Sequence, residues 1–208
     1  MKKSLLLVPL LFLAFACATV NVNSHLLDPN AQTLRYSSVL LLYSDSEEMF
    51  YDWDEENYNY VLYGQFNSLA QEKFRRDLGQ SISRNLQGTK VHSADQYFAI
   101  HRPVSYQDFM NKLAEIDVEA ILLVNARAIY QEEVFIDGDS VFRSNMEFQC
   151  FLIDKEDLSN VYLAQIGAHG APIHSSMNVM DRFASNLGKD LYGKGLISNP
   201  RTFAQFPR

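Results

Sequence analysis

Cysteine is scarce in this chain: Cys17 and Cys150 are the only two in 208 residues, and no Cys-x-x-Cys pair occurs. That excludes a disulfide-stapled framework and a thiolate zinc site. A basic cluster is also missing. The formal charge is −7, an acidic balance that repels nucleic acid and anionic headgroups, so nucleic acid is not an expected partner. There is no Gly-x-Ser-x-Gly elbow, no phosphate loop ending in Gly-Lys-Ser or Gly-Lys-Thr, and no His-Glu-x-x-His helix. The hydrolase, nucleotide and metalloprotease chemistries that those motifs serve lose their sequence support. No nucleophile, base and orienter stand together, so the expectation is a non-catalytic protein without a cofactor. Carboxylates are plentiful, and an enzyme with a dispersed carboxylate site is the remaining catalytic alternative.

Long apolar runs are lacking too. The longest, Leu5 to Phe15, follows Lys2 and Lys3 and ends at Ala14-Phe15-Ala16-Cys17. It is too short for a stable membrane span and reads as a secretory signal, residues 1–16. Cleavage before Cys17 leaves 192 residues with a formal charge of −9, a comfortable length for one domain with its own core. The Ala-x-Ala ending suits the ordinary signal peptidase, which would give a plain exported protein. The cysteine at the cut resembles that of a bacterial lipobox, and the resemblance implies that Cys17 is acylated and holds the protein on a membrane. Cys150 would then be a lone thiol, a small hydrophobe in a strand pattern. Without acylation, a bridge between Cys17 and Cys150 stays open.

Residues 17–35 read as the lipidated cysteine and a flexible tether, because Asn, Ser, Asp and Pro interrupt any regular element. A single globular domain is expected over 36–199 and a C-terminal tail over 200–208. The first strand is Ser37 to Tyr43, a continuous apolar run of the kind buried on both faces of a sheet. Asp45 to Tyr63 mixes seven carboxylates with Phe50, Tyr51, Trp53, Tyr58, Tyr60 and Tyr63. Asp52-x-Asp54-x-Glu56 fails as a calcium loop, since position 57 is Asn and position 63 is Tyr. Two uses of the stretch remain: a partner or glycan surface carried by Trp53, Tyr58 and Tyr60, or a loop whose aromatics cover the neighbouring sheet.

Ser68 and Gln71 have capping-box spacing, and Ala70, Phe74, Leu78, Ile82 and Leu86 recur every fourth position, which predicts a helix ended by Gly88. Lys90 to Ala94 follows as a short strand. Ser105 opens a second helix in which Phe109, Leu113 and Ile116 face inward. Val118 to Val124 is a central-strand run whose continuation becomes mixed, and Asp137-Gly138-Asp139 supplies hairpin chemistry. Phe142 to Leu152 alternates, Val161 to Ala168 is the next strand, and a last helix starts at Ser175 or Ser176. His169 and His174 are close in sequence, but two ligands without a third do not make a metal site. The fold expected is α/β of the α+β kind: a mixed sheet in the order β-α-β-α-β-β-β-α with helices against it, the first three strands parallel and the last antiparallel.

The strand VLLLY, the helix LAQEKFRRDLGQSISRNL, the run VEAILLVNARA, the strand MEFQCFLID and the helix MDRFASNLGKDLYGKGL, with Cys17, resemble bacterial envelope lipoproteins with a TolB amino-terminal-like domain, the CsgG-LpoB-like group. The resemblance implies an exported, lipid-anchored protein at the outer membrane facing the periplasm, which docks on another envelope protein or on itself. The hairpin at Asp137 reads as short and flanked by Glu132 and Glu133, which argues against a membrane pore. A glycan- or peptide-binding module in segment 45–63 is the alternative.

Overall fold

The computed structural model describes residues 18–28, 35–100, 102–172 and 174–198, the side chain of Leu69 excepted. Cys17, the signal segment and the C-terminal tail lie outside the described residues. The strands are β1 (Thr19–Leu26), β2 (Ser38–Ser44), β3 (Lys90–Ser93), β4 (Ala120–Ile136), β5 (Asp139–Asp154) and β6 (Asn160–His169). They form one sheet in the order β1-β6-β5-β4-β2-β3. The helices are α1 (Glu55–Asn57), α2 (Glu72–Asn85), α3 (Tyr106–Glu115) and α4 (Ser176–Gly193). As expected, β2 runs parallel to β3 and β4, while β4, β5 and β6 are antiparallel neighbours.

One face of the sheet carries α2 and α4. Leu78 and Ile82 on one helix with Leu86 at its C-cap, and Val179, Phe183, Leu187 and Leu191 on the other, close over Leu41, Leu122, Cys150, Leu152 and Ala164. Gly188 permits the close approach of the helices, since a Cβ there would lie 2.9 Å from the Asn85 carbonyl oxygen. Ser105 and Ser175 cap α3 and α4 through the amides of Asp108 and Asn178. The capping box at Ser68 does not form. Residues Leu69–Gln71 make a 3-10 turn, and Gln71 precedes α2 without a side-chain cap. The Cys150 thiol is fully buried, and burial pushes its pKa up.

The other face is covered only in part. Over β2, β4 and the nearer end of β5, α3 and the aromatic segment bury Leu40, Leu42, Ile121, Leu123, Phe151 and Ile153. Trp53 and Tyr58 belong to this layer. Trp53 is 7% exposed and Tyr58 fully buried, so the surface expected of them is the inside of a core. The Trp53 indole donates to Met110 Sδ at 3.3 Å, and the Tyr58 hydroxyl donates to the Val104 carbonyl at 2.9 Å. Phe109 stacks on Phe98 at 5.0 Å. Tyr60 alone of the three points outward, at 69% exposure.

A second correction concerns the tether. Thr19–Leu26 is not a leash but the edge strand β1, antiparallel to β6 from Thr19↔His169 to Leu26↔Tyr162. Its Val20, Val22 and Leu26 pack on the helix-covered core, while Thr19, Asn21, Asn23 and His25 face solvent. The alternation of polar and apolar residues was present in the sequence, masked by Asn and Ser, which rarely occupy strands. The folded body therefore begins at residue 19.

Candidate functional site

The Asp137-Gly138 turn forms as its chemistry requires, with φ of 52° and 92° joining Ile136 to Asp139. The hairpin it closes is not short. β4 is 17 residues and β5 16 residues long. On β4, the partner β2 stops at Asn125; on β5, the partner β6 stops at Asn145. Ser144 still touches the body, its carbonyl accepting from the Gly170 amide at 2.8 Å and its hydroxyl meeting Ser176 Oγ at 3.0 Å. Beyond it, among the described residues, the two strands pair only with each other, so Glu132 to Ile136 and Asp139 to Arg143 project as a ribbon about 17 Å long. A bulge at Arg127, between the pairs of Ala126 and Ala128, marks the departure and turns the ribbon away from the sheet.

The ribbon is apolar without being covered. Phe135 is 72% exposed, and Phe142, Ile136, Tyr130 and Ile129 are exposed as well. Cross-strand pairing puts Ile129, Phe135 and Phe142 on one face and Tyr130, Val134, Ile136 and Val141 on the other. At its root, Arg143 donates to Glu132 Oε2 through Nε at 2.8 Å and pairs through Nη2 at 2.7 Å. The Asn145 amide donates to the same carboxylate at 3.1 Å, and its oxygen meets His169 Nδ1 at 3.0 Å. Arg143 beside Glu132 holds that carboxyl below its ordinary range. This network ties the two strands together at the root of the ribbon while its end stays bare.

Several polar groups elsewhere are engaged in holding the fold. In the cleft of about 520 Å³ lined by Arg35, Tyr36, Glu119, Asp154, Lys155 and Glu156, Tyr36 donates to Asp154 at 2.8 Å and the Ser37 hydroxyl donates to Glu119 at 2.8 Å. Lys155 reaches the Ile116 carbonyl. His174 Nδ1 accepts from the Ala171 amide at 2.9 Å, a turn closure, so the two histidines are not brought to a common point. Asn125 ties the start of the acidic segment down. It accepts from Ser44 Oγ at 2.7 Å and the Ser46 amide at 3.0 Å, and donates to the Ser46 carbonyl at 2.9 Å. Arg75, 5% exposed, forms an ion pair with Asp95 at 3.1 Å through Nη1, while none of its three guanidinium nitrogens makes a hydrogen bond of good geometry among the described residues. Burial pushes the Asp95 carboxyl up, but Ser93 and the neighbouring Arg75 guanidinium outweigh it and bring it below its ordinary value. No helix of the described residues is long and apolar enough to cross a membrane.

The class these features define is a mixed-sheet α/β domain with a projecting two-stranded arm. No family model and no curated protein sequence matches the chain, so the TolB-like grouping is not shown. Among solved structures it is similar to a PelC dodecamer from Paraburkholderia phytofirmans, at 9% identity and a TM-score of 0.49 over 86% of this chain and 100% of that one. It is also similar to the lipoprotein GNA1162 from Neisseria meningitidis, at 10% identity and a TM-score of 0.41 over 76% and 99%. A hypothetical protein, CT253 from Chlamydia trachomatis, gives 11% identity and a TM-score of 0.40 over 76% and 94%.

Proposed function

We propose that this protein is a non-catalytic lipoprotein of the cell envelope that docks on a partner protein through the β4–β5 ribbon. The observation that carries the reading is the exposure of Phe135, Ile136 and Phe142 on an arm with no sheet neighbour among the described residues. An isolated ribbon is marginal in water, and bare aromatic and aliphatic side chains of this kind mark contact surfaces. The anchor rests on the leader and the lipobox-like Cys17. Acyl chains must supply the membrane attachment, since the acidic chain gains nothing from anionic headgroups.

Two experiments test the parts separately. A photo-crosslinking side chain at Phe135, activated in intact cells, is expected to trap a discrete partner, and the same probe at exposed Tyr60 is not. Equal, diffuse labelling from both positions would refute docking through the ribbon. Cys17→Ser is expected to release the protein from membranes; retention at the wild-type level would refute the anchor.

A further inference from the structure

β1 is an edge strand with one neighbour, β6. The Leu27 amide donates to the Val161 carbonyl at 3.0 Å, one rung beyond Leu26↔Tyr162. Antiparallel pairing alternates, so the odd residues of β1 spend their backbone groups on β6, while Val20, Val22, Ser24 and Leu26 turn N–H and C=O outward. Edges of this kind are ordinarily blunted by lysine, proline, a bulge or brevity. The opposite edge follows that rule: β3 is four residues long and opens with Lys90. β1 does not. Its eight residues, TVNVNSHL, hold no charge and no proline, and their register with β6 is unbroken. Among the described residues nothing pairs with its outer side.

We infer that the outer edge of β1 pairs antiparallel with the same edge of a second copy of this chain, about a two-fold axis at Val22, joining two sheets into one. Parity restricts the register, and of the pairings it allows the axis at Val22 is the one that sets the two Val22 side chains against each other. For the helix-covered faces to continue across the seam, residues that face that layer must meet each other, and those are the residues with free backbone groups: Val20, Val22 and Ser24. Val22 then exchanges both hydrogen bonds with Val22 of the second copy, and Val20 exchanges both with Ser24 of the second copy. The half-buried Val20 and Val22 side chains gain cover. On the polar face, Asn21 comes opposite Asn23 of the second copy, where amides can bond to one another. Charge also selects the site. Two copies of a mature chain at −9 repel one another over most of their surface, and β1 brings them together without setting one charged side chain against another. The inference does not rest on the ribbon, which lies on other strands.

Proline decides it. Because the Val22 amide points outward, Val22→Pro leaves the β1–β6 ladder intact, a placement that edge strands tolerate. Sedimentation of the mature chain with Cys17→Ser is expected to show a dimer, and Val22→Pro is expected to weaken it roughly tenfold to a hundredfold with an unchanged unfolding midpoint at concentrations low enough that both chains are monomeric. Asn23→Pro, which removes an amide bonded to β6, is the control that destabilises the fold itself. Register is read by mixing Asn21→Cys chains with Asn23→Cys chains: disulfide-linked dimers are expected from the mixture and not from either alone. A monomeric wild-type chain, a Val22→Pro dimer as tight as the wild type, or no excess of crosslinking in the mixture would each overturn the inference. A chain with a shortened ribbon keeps the dimer, so loss of partner docking and loss of pairing are separable.

Discussion

Tyr58 and Tyr60 stand two positions apart on the same helical stretch and have opposite fates. Tyr58 is enclosed by Trp53, Phe66, Tyr106 and Phe109. Tyr58→Ala is expected to cost about 3–5 kcal/mol, and Tyr60→Ala to stay within about 0.5 kcal/mol, as read from denaturant midpoints. Asp95 gives the pH dependence. Its pKa in the fold lies below the ordinary 3.8, so its stabilising contribution is complete above that value and fades as pH falls through the lower one. Asp95→Asn strips the buried Arg75 of its counter-charge. A loss of about 2–3 kcal/mol at neutral pH is expected, less than for a fully buried pair because Asp95 is part-exposed. The wild-type advantage over this variant should shrink below pH 3.8, measured as urea midpoints on the acid side.

At the level of elements, the ribbon and β1 behave oppositely under deletion. Removing matched lengths of β4 and β5 beyond Glu132 and Arg143 and rejoining them through Asp-Gly takes away residues that pair only with each other and spares Ser144 on Gly170 and Ser176. The unfolding midpoint is expected to hold while partner crosslinking disappears. Deleting 19–26 is expected to lower stability and expose Val161 to His169 as a new edge; an unchanged midpoint would return the segment to the role of spacer. Most of the sheet was legible because its signals are local: VLLLY and AILLV are continuous apolar runs, and Asp-Gly fixes its own turn. β1 was missed because its pairing partner is more than a hundred residues away and its Asn and Ser carry weak strand preference. The ribbon was recognised as leaving the covered sheet, but its length depends on where β2 and β6 stop. The sequence left two uses open for Trp53 and Tyr58, because aromatic residues among carboxylates look the same whether they face a sheet or water; burial of these two side chains beside exposed Tyr60 answers to the reading in which aromatics cover the sheet.

For the whole molecule, the unequal covering of the sheet is the organising asymmetry. Helices close one side, aromatics close part of the other, and the outer part around Asn21, Asn23, Gln165 and Arg127 is left polar and open. The start of β1 lies level with the root of the ribbon, since Thr19 pairs with His169 and His169 with Asn145. Only Ala18 separates Thr19 from Cys17 in the sequence. A fatty chain on Cys17 would therefore hold the body within roughly 10 Å of the lipid headgroups, with no slack to stand away from them. Anything the ribbon grips must then itself live beside that bilayer. A target fixed deep in the wall or on the opposing membrane would be out of range, and lengthening the link with an inserted Gly-Ser spacer should extend the set of neighbours that crosslink to Phe135.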